Sequence, residues 1–182
     1  MSDEIDHVRR CLLGAAGVTI AAAQFGLNSS AAAQSERRKA LDTRGFKPGT
    51  NASFASLKQI DAGLLNVGYA EAGAADGEPV ILLHGWPYDI HSFVDVAPLL
   101  ASAGHRVIVP YLRGYGSTRL LSDATFRNGQ PSALAVDTIA LMDALGIRKA
   151  TLAGFDWGAR TANIMAALWP ERCKAIDRKS VV

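Results

Sequence analysis

The chain has 182 residues and a formal net charge of +2; 49% of it is hydrophobic, 7% aromatic and 20% charged, with 2 Cys. This composition excludes a disordered tail, a collagen-like repeat, a disulfide scaffold and a polytopic membrane protein. No Lys/Arg cluster forms a basic footprint, which excludes nucleic acid as a partner, and the length alone is that of one ordinary domain.

The first segment reads as a leader. Arg9-Arg10 precedes an uncharged, Ala/Gly-rich run over residues 11–27, and Ala31-Ala32-Ala33 closes it with small residues. A charged start, an apolar middle and a small-residue end make an export signal. The paired arginines followed by Leu12-Leu13 resemble a twin-arginine signal, with Cys11 where an aromatic is usual. Residues 1–33 are therefore expected to be a cleaved signal, the export machinery a partner, and the protein periplasmic or secreted. The run is too short and too Ala-rich for a stable membrane anchor. Residues 34–53 read as a polar linker broken at Pro48-Gly49. After cleavage one cysteine remains, Cys173, expected to act as a small core hydrophobe.

From residue 54 the pattern is two strands, then strands alternating with helices. Residues 57–60 and 64–71 read as a hairpin across Asp61-Ala62-Gly63. Val80-Ile81-Leu82-Leu83 and Val107-Ile108-Val109 are short continuous apolar runs, as in strands buried on both faces, and residues 150–153 read as a third. Helical spacing predicts helices over 93–103, ended by Gly104, over 134–145, ended by Gly146, and over 161–169, ended by Pro170. Phe93 and Trp169 lie on helical faces and read as core rather than as a substrate-binding cluster with Trp86 and Tyr88. Alternating strands and helices predict an α/β fold with a mostly parallel sheet flanked by helices.

Three glycine-bearing loops follow the three buried strands: His84-Gly85-Trp86-Pro87, Arg113-Gly114-Tyr115-Gly116 and Gly154-Phe155-Asp156-Trp157-Gly158. That edge of an open α/β sheet is where ligands bind. The third loop, G-x-D-x-G between a strand and a helix, has the place and pattern of a nucleophile elbow, which pushes its central side chain out above the sheet. Asp156 is that side chain, and a carboxylate there attacks an electrophilic carbon to form an ester. The bland alternative is an N-cap aspartate, the glycines serving only the turn.

H-G-W-P, R-G-Y-G and G-F-D-W-G in this order resemble the α/β-hydrolase superfamily, and the Asp nucleophile narrows the resemblance to its epoxide hydrolase and haloalkane dehalogenase branch. It covers about residues 54–176. The resemblance implies that Asp156 is the nucleophile and that the backbone N–H groups of Trp86 and Trp157 form the oxyanion hole. It implies that His84 braces the loop and that Pro87 is the family's cis proline. Aromatic Trp86 and the R-G-Y-G loop are closer to epoxide hydrolases, whereas dehalogenases carry a polar halide ligand at the Trp86 position. Trp157 fits both branches and Phe155 neither; Tyr111 and Thr118 replace the Asp and Ser that usually flank R-G-Y-G. The implied substrate is a small epoxide, organohalide or ester.

No His/Cys cluster, dinucleotide loop or phosphate loop is present, so neither metal nor cofactor is expected. The ester would need a His–acid pair later in the chain, yet the histidines are His7, His84, His91 and His105, all before Asp156. Residues 54–176 are thus expected to be the amino-terminal half of such a domain, truncated after the elbow helix and inactive as it stands. A non-catalytic hydrolase-fold protein is the alternative. Residues 177–182 do not read as a buried strand and match what a sequencing adapter would encode, so they are expected to be foreign to the fold.

Overall fold

Seven strands form, five of them where the sequence reading predicts strands. The computed structural model describes residues 47, 49 and 51–179. The expected export signal and residues 34–46 of the expected linker lie outside the described residues. The strands are β1 (Leu57–Ala62), β2 (Leu65–Ala72), β3 (Glu78–Leu83), β4 (His105–Pro110), β5 (Arg119–Leu120), β6 (Ala150–Phe155) and β7 (Cys173–Lys179). The helices are α1 (Val96–Ser102), α2 (Pro131–Ala144) and α3 (Trp157–Leu168), with 3₁₀ turns at Ile90–Phe93 and Pro170–Arg172. Among the described residues no helix is long and apolar enough to cross a membrane.

The sheet order is β1-β2-β4-β3-β6-β7, with the short β5 beside β2. β1, β2 and β4 pair antiparallel, whereas β3, β4, β6 and β7 run parallel. The sheet therefore has the mostly parallel, mixed character expected. β3 lies between β4 and β6, so the chain leaves β3 to one side and returns to the other. That reversal places the loops after β3 and β6 next to each other at one edge, with Leu83 opposite Gly154.

Alternation along the strands divides the interior between the two faces. Ile81, Leu83 and Ile108 join Leu134, Leu141, Met142 and Met165 in one cluster. Val80, Leu82, Val107 and Val109 join Ile90, Phe93 and Ala97 in the other. The apolar runs of β3 and β4 are continuous because successive residues enter different cores.

Several element boundaries differ from the expectation. Asp61 and Ala62 belong to β1, so the hairpin turns at Gly63-Leu64. The helix expected over 93–103 is a 3₁₀ turn followed by α1. The Asp89 carboxylate accepts from the His91 N–H and caps that first turn. α2 starts at Pro131, whose fixed φ suits the first helical position. α3 starts at Trp157, directly after the elbow. β7 continues through Asp177, Arg178 and Lys179, where a break was expected. It tolerates these charges because its residues beyond Cys173 are exposed. Cys173 itself is half-buried, and burial pushes its thiol above the ordinary value. The described end of the linker is tied down, because the Asp95 carboxylate accepts from the Gly49 and Asn51 N–H groups.

Candidate active site

The site is built from the ends of β3, β4 and β6. Asp156 stands between β6 and α3 with φ 50 and ψ −116, the only non-glycine positive φ among the described residues. Such a backbone costs of order 1–3 kcal/mol and persists only where the surroundings enforce it. Packing enforces it here. A Cβ on Gly158 would fall onto the Leu83 carbonyl oxygen, and one on Gly85 would lie 2.6 Å from the Asp156 Cβ. Only glycine lets the elbow, the start of α3 and the loop after β3 approach this closely.

The approach brings together two groups that are 70 positions apart in sequence. The Trp86 N–H donates to the Asp156 Oδ2 at 2.9 Å. That bond orients the carboxylate and leaves Oδ1 without a protein partner among the described residues. The Trp157 N–H makes no bond to this carboxylate; Trp157 opens α3, and its ring lies 5.2 Å from the Arg160 guanidinium. The Trp86–Pro87 peptide is cis. The Trp86 side chain is 68% exposed and Tyr88 62% exposed, whereas Phe93 is in the core and Trp169 packs against it.

His84 is fully buried. Its Nε2 accepts from the Leu112 N–H at 3.1 Å, which leaves the proton on Nδ1, 3.3 Å from the Gly85 carbonyl. One neutral ring thus ties the loop after β3 to the loop after β4. Burial is the main cause that holds its pKa below the ordinary value, against smaller opposing effects from the Gly85 backbone, the Asp89 charge and the Tyr88 backbone. The Tyr115 ring meets it edge-on at 4.6 Å. Burial and then the charge of Asp156 push the Tyr115 phenol upward.

The Arg113 guanidinium forms two hydrogen bonds to Asp137 on α2, at 2.8 and 2.7 Å. Periodicity alone did not reveal this pair, because its members are 24 positions apart. Thr118, one of the departures from the usual loop, is buried; it donates to the Tyr111 carbonyl and accepts from the Gly68 N–H. A groove of about 680 Å³ lies beside the elbow, lined by Pro87, Tyr88, Asp89, His91, Ser92 and Phe155. A second cavity of about 480 Å³, near Arg113, Arg119 and Arg127, is lined by none of the candidate catalytic residues. Among the described residues no group of three or more His, Cys, Asp or Glu could hold a metal ion.

Comparison with known proteins gives a consistent result. The family model described as alpha/beta hydrolase fold matches residues 78–176. An epoxide hydrolase from Caballeronia sordidicola is 33% identical over 75% of this chain and 41% of its own length. A fluoroacetate dehalogenase from a Burkholderia species is 35% identical over 62% of this chain and 36% of its own. A crystal structure from Klebsiella pneumoniae, described as a candidate epoxide hydrolase, is 66% identical with a TM-score of 0.67, covering 69% of this chain and 41% of that one. The chain therefore spans less than half the length of these relatives.

Proposed function

Because this chain belongs to the α/β hydrolase fold family, we propose that it carries the nucleophile of an epoxide hydrolase-like enzyme, with Asp156 as the attacking carboxylate. The observation that carries the reading is the state of that carboxylate. It sits on an enforced elbow, one oxygen held by the Trp86 N–H and the other without a protein partner among the described residues. A carboxylate so held presents Oδ1 to an electrophilic carbon. In the proposed step Oδ1 bonds to one epoxide carbon, the ring C–O bond breaks, and the resulting alkoxide takes a proton from water. Water then attacks the ester carbonyl carbon, and the Trp86 and Trp157 N–H groups stabilise the oxyanion. His84 and Pro87 are positioning residues in this reading.

The second step needs a base. Among the described residues, both His84 ring nitrogens face backbone groups, His91 is engaged by Asp89, and His105 opens β4 at the opposite end of that strand from the site. The 182-residue chain is therefore expected to stop at the ester and not to turn over. The experiment is an intact-mass measurement after incubation with a small terminal epoxide. The expected result is a stable gain of one epoxide mass, lost in Asp156→Ala. No gain in the folded chain would overturn the reading in favour of a non-catalytic hydrolase-fold protein.

Similarity to a dehalogenase supports a second reading, in which Oδ1 displaces halide from a haloalkane. A gain of the alkyl mass with stoichiometric halide release, and no reaction with epoxides, would select it. We further propose, from Arg9-Arg10 and the apolar run after it, export through the twin-arginine route. Retention of the full chain in the cytoplasm of a host with that machinery would contradict this.

A further inference from the structure

We propose that Asn128-Gly129 is a self-modifying site, at which Asn128 loses ammonia without an enzyme and becomes a carboxylate beside the arginines of the second cavity.

An asparagine followed by glycine is suited to this reaction, because no side chain on the second residue blocks the approach of its backbone nitrogen. The Gly129 nitrogen attacks the side-chain carbonyl carbon of Asn128, Cγ. The N–Cγ bond forms, the Cγ–Nδ2 bond breaks, and the Gly129 N–H proton leaves with Nδ2 as ammonia. Water then opens the five-membered ring. Attack at Cγ gives aspartate; attack at the main-chain carbonyl carbon gives isoaspartate, with the chain running through the former side chain. Ammonia is lost, water is gained, and the segment becomes more negative by one charge.

The fold leaves this one asparagine ready to react. The chain has five asparagines, and only Asn128 precedes a glycine. Asn66 lies in β2 and donates to Asp61, Asn163 lies within α3, and the N–H and Nδ2 of Asn51 are both held by Asp95. Residues 121–130, by contrast, belong to no helix or strand. The Gly129 N–H makes no hydrogen bond among the described residues, and a Cβ on Gly129 would meet nothing within 4 Å. The nucleophile is therefore free to approach. The electrophile is prepared, because the Gln130 N–H donates to the Asn128 Oδ1 at 2.9 Å. That bond draws electron density from Cγ and leaves Nδ2 free to depart. Asp76-Gly77 is the contrasting case. The Gly77 N–H donates to the Ala74 carbonyl at 3.0 Å, and Gly77 is packed against the backbone of Arg106.

The product suits its surroundings. Asn128 and Gly129 line the second cavity with Arg113, Arg119 and Arg127. Asp137 balances Arg113, so Arg119 and Arg127 stand against Asp123 alone among the lining residues. Arg119 donates only to the Gly116 and Thr118 carbonyls, and Arg127 makes no ion pair among the described residues. One more negative charge fits there, close to the amino end of α2, where negative charge is favoured.

The test is peptide mapping of the full chain held at mildly alkaline pH for several days, with and without urea. In the folded chain Asn128 is expected to gain about 1 Da, partly as isoaspartate, about tenfold or more faster than Asn51, Asn66 or Asn163. Gly129→Ala should slow the gain about tenfold, and its added methyl meets no atom, so the variant keeps the fold. Urea should change the Asn128 rate by less than about threefold, while releasing isomerisation at Asp76. A folded-state rate further below the rate in urea than that, or an unchanged rate in Gly129→Ala, would overturn the proposal. Asn128→Asp is expected to melt about 1–3 °C above the unmodified chain. A lower midpoint would overturn the acceptance of the product by the arginines.

Discussion

Asp156 holds a backbone conformation that its own chemistry does not favour, and the neighbours that impose it are glycines. Gly158→Ala would drive a methyl group into the Leu83 carbonyl. The expected loss is about 2–4 kcal/mol in urea unfolding, since the obstacle is backbone that cannot rotate away; a loss below about 0.5 kcal/mol would show that the elbow is not held by this contact. His84 gives the site a pH dependence. Its folded pKa lies below the ordinary 6.5 because burial disfavours the charged ring. Neutral His84 therefore contributes its stability in full above pH 6.5, and that contribution fades as pH falls toward the folded value. The urea midpoint should drop between pH 7 and pH 5, and His84→Gln should be less stable at pH 7 yet drop less. An unchanged drop in the variant would assign the acid limb to other groups. The roles of Asp156, Trp86 and His84 were suggested by motif alone. That the Trp86 N–H reaches the carboxylate and the Trp157 N–H does not was invisible in sequence, because it depends on the angle at which the two loops meet.

At the scale of elements, the strands were legible because the last four residues of β3 and of β4 are buried and apolar without a break. The two-residue β5 was not legible: Arg119-Leu120 has no periodicity, and it pairs with β2 only through long-range register. Helix starts were shifted for local reasons, a capping Asp89 in one case and Pro131 in another. Outside the sheet, the Arg113–Asp137 pair clamps the loop after β4 to α2, with both side chains largely buried. Breaking it strands a charge, so Asp137→Ala should cost about 3 kcal/mol, whereas removing both charges with Arg113→Met and Asp137→Leu should cost clearly less. Thermal unfolding of the two variants decides this. Equal losses would mean that the pair stabilises by its own attraction.

For the whole molecule, the sheet reversal at β3 brings the H-G-W-P loop and the elbow to one edge, and alternating burial gives each face its own core. Both followed from the order of strands and helices. The end of the sheet did not. β7 is an outer strand among the described residues, paired only with β6, and it carries Lys174, Asp177, Arg178 and Lys179. An unpaired strand edge invites association, and charges on it resist that. Sedimentation velocity should therefore show self-association that grows with protein concentration and with salt, as screening weakens the repulsion; a monomer under all conditions would count against it. Asp156 as nucleophile is tested by peptide mapping of the chain after reaction with a small epoxide. One adduct is expected, on Asp156, formed without multiple turnover and absent from Asp156→Ala. An adduct on Cys173 or His91 with Asp156 unmodified would contradict it.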